Sequence, residues 1–160
     1  TVVRLAAKRG LAQARTDPEM ARWGLEAETP AEDPEYRRVI FDQIRRCHEG
    51  LPDEAYQRLY EASLLRDEGM AKTIAAALDR AAPGSGPIVS YTGGGHIQQG
   101  LPVPNRVRRR RAGAVRQVTV YLTALTPDRA EEIAALLRAG VADFIWLTPV
   151  GEHGPPRRCR

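Results

Sequence analysis

Residues 83–87, Pro-Gly-Ser-Gly-Pro, divide the 160-residue chain into two parts of different character. A helix cannot continue through them, because proline lacks an amide donor and glycine loses too much backbone freedom. Most of the sequence before them has helical spacing, apart from a loop predicted over residues 26–33. The sequence after them contains short runs of β-branched and aromatic residues. The sequence therefore predicts an α/β fold over residues 1–150, with a helical block before the strands, and a flexible tail over 151–160.

Several helix boundaries in the first part have local signals. Residues 1–11 have the pattern of a helix, which Gly10 either ends or interrupts. Asp17 precedes a proline and predicts a helix start, and Gly24 predicts the end of that short helix. Asp33, again before a proline, predicts the start of a longer helix.

The longest helix is predicted over residues 52–82. Gly69 lies inside it and costs about 1 kcal/mol relative to alanine at that position. A glycine kept at such a cost indicates that another group approaches the helix closely there.

Three short strands are predicted after the break, over residues 88–91, 118–122 and 144–147. Thr126 begins a helix between the second and third strands, and Gly140 ends it. This order predicts a right-handed parallel crossover and a small, mostly parallel sheet. Parallel sheets are normally covered on both faces, so three strands form either a very small sheet or part of a larger one.

The charge balance is basic, with a formal net charge of +4, and residues 108–111 are four consecutive arginines. Aromatic residues make up only 6% of the chain and none interrupts this run, so nucleic-acid binding is disfavoured. A solvated hairpin or loop is expected, and contact with carboxylates or phosphates is the other alternative. No apolar run approaches the roughly 20 residues of a membrane-spanning helix.

The glycine triplet before His96 is the most distinctive segment. It follows a predicted strand and lets the backbone turn sharply, so that His96 emerges where open α/β sheets place their ligands. An imidazole there can ligate a metal, act as a base or donate a hydrogen bond. The alternative is a tight turn whose histidine bonds a backbone carbonyl.

Two sets of residues on the longest helix are further candidates. Tyr56 and Tyr60 are four residues apart, and a phenolate oxygen is a ligand for ferric iron, although most tyrosines only anchor an amphipathic face. Arg66 and Met70 share a helix face, and Asp67 adjoins them. They form either the wall of a polar cavity or a surface ion pair beside a methionine.

Together these segments resemble the ChaN-like family of haem-binding lipoproteins, which is grouped with the erythromycin-esterase and Tiki folds. The similarity covers residues 40–149 in order. The family's Gly-x-Gly-His turn is matched at Gly93, Gly95 and His96, with a looser match at the proline-bearing exit over residues 100–104. Its helix motif is matched at Ala62, Arg66, Asp67, Met70 and Ala71, although Ser63 replaces a glutamine. His48 and Gly50 fit a further motif in part, and residues 142–149 resemble the family's last strand.

The resemblance implies non-covalent haem binding and a part in haem or iron uptake. His96 is expected to line the haem pocket or ligate the iron, with Gly93 and Gly95 shaping the turn. Tyr60, Tyr56 and Met70 are secondary candidates, and Arg66 or Arg106 is expected to pair with the propionates. The family's amino-terminal half, with its Gly-Glu-x-His segment and several strands, has no counterpart here, so we expect the carboxyl-terminal portion of the fold.

The resemblance also implies a periplasmic or outer-membrane-associated lipoprotein, a homodimer, and outer-membrane haem-uptake components as partners. A competing function is that of a metal-dependent hydrolase or protease of the Tiki type. Such enzymes use a Gly-x-x-His motif, whose spacing Gly93 and His96 satisfy, but they also need acidic partners and a second histidine. No His-Glu-x-x-His helix is present.

Overall fold

Helices precede a small sheet in the computed structural model, which describes residues 1–26, 33–152 and 154. The predicted mixed α/β class is confirmed. The helices in these ranges are α1 (Val2–Arg9), α2 (Leu11–Ala14), α3 (Pro18–Trp23), α4 (Pro34–Cys47), α5 (Asp53–Arg80), α6 (Val103–Arg110) and α7 (Ala130–Arg138). The strands in the same described residues are β1 (Val120–Ala124) and β2 (Phe144–Thr148), and short 3-10 turns cover Gly94–His96, Gln98–Gly100 and Pro127–Arg129.

Helix boundaries form where the local signals predict them. The Asp17 carboxylate accepts the Glu19 amide at 2.8 Å, and the Asp33 carboxylate accepts the Tyr36 amide at 3.0 Å, so both aspartates cap helices that begin with proline. Gly10 ends α1 with a φ of 88°, a conformation that favours glycine. These confirmed boundaries depend on neighbours within four residues.

The described chain divides into two compact units, Thr1–Thr73 and the residues from Ile74 onward. The first unit has an apolar core to which several short helices contribute. Helical spacing places small and branched side chains on one side of each element, and these sides meet in the core. Its buried members are Val2, Ala6, Ala14, Met20, Leu25, Ala62 and Leu65.

The second unit contains the sheet. β1 and β2 pair in parallel, with Val120 opposite Phe144 and Leu122 opposite Trp146, and α7 lies between them in the chain. The predicted parallel crossover is therefore confirmed. These four apolar residues share one face of the sheet and are exposed, because alternate residues of a strand face the same side.

Two polar clusters hold the ends of these strands. The Thr119 amide and hydroxyl both donate to Asp143 at 2.7 Å, and they lower the pKa of that carboxyl. Arg129 donates through Nε to Glu132 at 2.9 Å and through Nη1 to the Ala124 carbonyl at 3.0 Å. The Glu132 contact raises the pKa of the Arg129 guanidinium.

Two predicted elements are wrong. Residues 88–91 form no strand, and Val89 and Tyr91 are 86% and 89% exposed, because no neighbouring strand pairs with them in the described part of the chain. Residues 108–110 belong to α6 instead of a hairpin or loop. Arginine is a good helix former, and the preceding Pro104 occupies the first turn, where its missing amide costs nothing.

None of the helices in residues 1–26, 33–152 and 154 combines the length and the apolar character needed to cross a lipid bilayer. The predicted tail over residues 151–160 lies largely outside these ranges.

Candidate functional site

The glycine triplet and His96 form a short 3-10 turn. Gly93 precedes it in an extended conformation, and its carbonyl accepts the His96 amide at 2.9 Å. The His96 side chain is half-buried. The predicted sharp turn therefore exists, although it follows an extended segment and no strand leads into it.

Tyr121 explains why a glycine occupies position 94. The ring of this β1 residue lies against the Gly94 backbone so closely that a Cβ atom there would overlap it. At Gly93 a Cβ atom would be only 3.6 Å from Cδ2 of His96, an ordinary contact. Of these two glycines, Gly94 is therefore the one required by packing, and its contact fixes the turn against the sheet.

The exit of the turn is anchored at a second place. Gln99 has a φ of 55°, which is uncommon for a residue other than glycine. Its amide donates to the Val141 carbonyl at 2.8 Å, and its side chain reaches the Ala139 carbonyl at 3.3 Å. Together with the Tyr121 contact, these bonds place His96 between two points that are tied to the rest of the second unit.

Arg106 is 1% exposed, and its side chain stabilises the backbone that follows the His96 turn. Its Nη1 donates to the Pro102 carbonyl at 2.9 Å and to the Leu101 carbonyl at 3.3 Å. Gln117 donates to the Pro104 carbonyl at 3.0 Å. These contacts give Arg106 a structural role, and its predicted pairing with a propionate stays a prediction.

The two candidate tyrosines of α5 are buried in the first unit. The Tyr56 hydroxyl donates to the His48 carbonyl at 2.6 Å and accepts the Leu51 amide at 3.3 Å, so it closes the loop between α4 and α5. The Tyr60 ring stacks on Phe41 with a centroid separation of 5.1 Å. Their roles as haem ligands stay predictions.

Arg66 and Asp67, although adjacent, lie in different environments. Arg66 is exposed, Met70 is half-buried and Asp67 is fully buried. The Tyr36 hydroxyl donates to the Asp67 carboxylate at 2.7 Å. Arg66 is therefore the member of this motif that faces solvent, whereas Asp67 belongs to the interior.

Sequence reasoning missed this Tyr36–Asp67 pair, although the spacing contained a signal for it. Asp67 follows Tyr60 and Leu64 at helical intervals of four and three residues, and Ala71 continues the series. All four residues are buried. An acid on the apolar face of a helix requires a buried donor, and Tyr36 supplies it.

The predicted candidates fall into two groups. Gly93, Gly95, His96 and Arg106 lie in the second unit, within 14 positions of one another in the chain, and the other four lie on α5 in the first unit. Within residues 1–26, 33–152 and 154, no three His, Cys, Asp or Glu side chains are grouped so as to hold a metal ion.

Comparison with known proteins provides one match. A family model described as "Haem-binding uptake, Tiki superfamily, ChaN" matches residues 1–107, which include all eight candidate residues. The strands and α7 lie outside the matched range. No curated protein and no solved structure matches the chain significantly. Because the family model covers about two thirds of the sequence, the chain belongs to this haem-binding uptake family of the ChaN type within the Tiki superfamily.

Proposed function

We propose that this chain binds haem and serves haem or iron uptake, with a ring nitrogen of His96 as the protein ligand of the iron. The observation that carries the proposal is the match of a haem-binding uptake family to residues 1–107, within which His96 lies. Imidazole is an established ligand of haem iron, and His96 would supply it if haem were bound.

The surroundings of His96 fit this role. A ligand must keep a fixed direction, and the turn is held on one side by Tyr121 against Gly94 and on the other by the Gln99 amide on the Val141 carbonyl. The half-buried ring combines this fixed position with partial access from solvent. These features support His96 over the other candidate ligands.

The tyrosines fit less well. Iron ligation by Tyr56 would break its bonds to His48 and Leu51, and Tyr60 lies in an aromatic stack with Phe41. Met70, which is half-buried on α5, remains a secondary candidate. For the propionates, the exposed Arg66 fits better than Arg106, whose guanidinium is buried against carbonyls.

The hydrolase alternative gains no support from the geometry. A Gly-x-x-His site needs further acidic and histidine ligands, and the described ranges contain no group of three such side chains. We therefore retain haem binding as the single proposed function.

Titration with haemin tests the proposal. The wild-type chain should bind haemin saturably, with a shift of the Soret band, and His96→Ala should weaken binding at least about tenfold or move the band. His48→Ala is the matched control, because His48 is an exposed residue at the end of α4. Equal spectra and affinities for wild type and His96→Ala would remove His96 from the ligand set.

The resemblance extends the proposal to location and partners. We propose a periplasmic or outer-membrane-associated lipoprotein that forms a homodimer and passes haem to or from outer-membrane uptake components. Fractionation of cells that express the native gene, and the mass of the haemin-loaded protein in solution, test these points. Recovery in the cytoplasm as a loaded monomer would contradict both.

A further inference from the structure

A cleft of about 690 Å³ opens on the first unit, and none of the eight residues predicted to bind haem is among the residues that line it. Residues at the α1–α2 junction, α4 and the first turns of α5 line it. Four of its lining side chains are arginines, namely Arg9, Arg37, Arg45 and Arg58. Such a concentration of guanidinium groups around one cleft favours anionic ligands.

The described lining contains three acids against these four arginines, which leaves a formal charge of +1. Both oxygens of Glu61 are already used, since Oε2 accepts the Leu11 amide at 2.6 Å and Oε1 accepts the Gln57 side chain at 2.9 Å. Asp53 is 3.8 Å from Arg45, at the outer limit of an ion pair. Glu54 is the remaining acid among the described residues that line the cleft.

Two of the arginines have unused donors. Nε of Arg58 is buried and has no hydrogen-bond partner among the described residues. Neither Arg58 nor Arg9 forms an ion pair within residues 1–26, 33–152 and 154. A buried donor without an acceptor costs free energy that an incoming oxygen would recover.

Arg37 and Phe41 form one wall of the same cleft. The Arg37 guanidinium lies 4.5 Å from the centre of the Phe41 ring and donates to the Gln57 side chain at 2.8 Å. Phe41 in turn stacks on Tyr60. This flat, partly apolar surface suits a planar group attached to the anion.

We propose that the cleft binds a small oxyanion, a carboxylate or a phosphate group, through Arg58 and Arg9. Guanidinium groups bind both anions through paired charge-assisted hydrogen bonds. The site does not include His96, the proposed iron ligand, which lies in the second unit, although its lining residue Phe41 stacks on Tyr60. The proposal does not depend on the proposed haem binding. Its ligand is a free phosphate or a carboxylate on a planar ring.

Isothermal titration of the full chain with inorganic phosphate and, separately, with benzoate tests this site. At least one of them should bind with a Kd of about 1 mM or tighter, and which one binds better identifies the source of the oxyanion. Arg58→Gln should weaken that binding at least about tenfold. Arg22→Gln, which removes an exposed charge from α3 outside the cleft, should leave the Kd unchanged.

A variant that is expected to tighten binding distinguishes an effect on the ligand from a loss of structure, because damage to the fold would only weaken binding. Glu54→Gln removes a negative charge from the lining, so it should tighten oxyanion binding. The proposal is overturned if neither anion binds, if Arg58→Gln binds as wild type does, or if Glu54→Gln weakens binding. Haemin titration of Arg58→Gln should match wild type, so failure of this proposal and failure of haem binding are distinguishable.

Discussion

The Trp23 ring lies directly against the Gly69 backbone on α5, and a Cβ atom at position 69 would be 2.9 Å from Cε3 of that ring. This contact with Trp23 explains why a glycine occupies the interior of a long helix at this position. Alanine at position 69 would gain about 1 kcal/mol of helix propensity, but it would force the indole out of place at a cost of about 1–3 kcal/mol.

Gly69→Ala should therefore fail to stabilise the protein and should lower its free energy of unfolding by up to about 2 kcal/mol. In a Trp23→Leu background the same substitution should raise the free energy of unfolding, because the indole is gone. Urea unfolding of the four proteins in this cycle measures the coupling. A Gly69→Ala variant that is more stable than wild type would contradict the packing explanation.

Tyr36→Phe should lower the free energy of unfolding by about 1–3 kcal/mol, since it removes a donor from a fully buried carboxylate. Tyr91→Phe is the matched control. Tyr91 is 89% exposed, so the same loss of a hydroxyl should change stability by less than about 0.5 kcal/mol. Equal effects at the two positions would show that the Tyr36–Asp67 bond contributes nothing.

Gly94→Ala should displace the 3-10 turn, because the new methyl group would overlap the Tyr121 ring. We expect a loss of about 1–3 kcal/mol of stability and weaker haemin binding through the displaced His96. Gly86→Ala, at a position with open space around it, should change neither quantity. Normal haemin affinity in Gly94→Ala would show that the turn does not position the ligand.

The Asp143 carboxylate is expected to raise the free energy of unfolding at neutral pH more than it does in acid. Its pKa in the folded state is lowered, first by the Thr119 amide and then by the Thr119 hydroxyl. Its contribution is therefore present above the unfolded pKa of about 3.9 and is lost as pH falls through the folded pKa. The difference in the free energy of unfolding between wild type and Asp143→Asn should be largest near pH 6 and should shrink in acid. A difference that is constant between pH 6 and pH 3 would contradict this linkage.

Features that depend on near neighbours could be predicted from the sequence. The Asp17 and Asp33 caps use bonds to amides two and three residues away, and both were found where the motifs indicate. The parallel crossover also followed from the order of strand, helix and strand. The close approach at Gly69 was predicted, although the sequence could not identify Trp23 as the partner.

Features that require the identity of a particular distant partner could not be predicted. Residues 88–91 have strand composition, but a strand forms only beside another, and none pairs with them in the part of the chain that the structure describes. Tyr121 lies 27 positions from Gly94, so the reason for that glycine became visible only in three dimensions. The arginine cleft likewise combines residues from three parts of the sequence.

Chemical rescue of a His96→Gly variant with imidazole tests the central claim most directly. Removal of the side chain should weaken haemin binding and change the Soret band. Free imidazole should then restore the wild-type spectrum in a saturable way, because it supplies the missing nitrogen ligand. A His96→Gly variant that binds haemin with the wild-type spectrum before imidazole is added would contradict the assignment of His96 as the iron ligand.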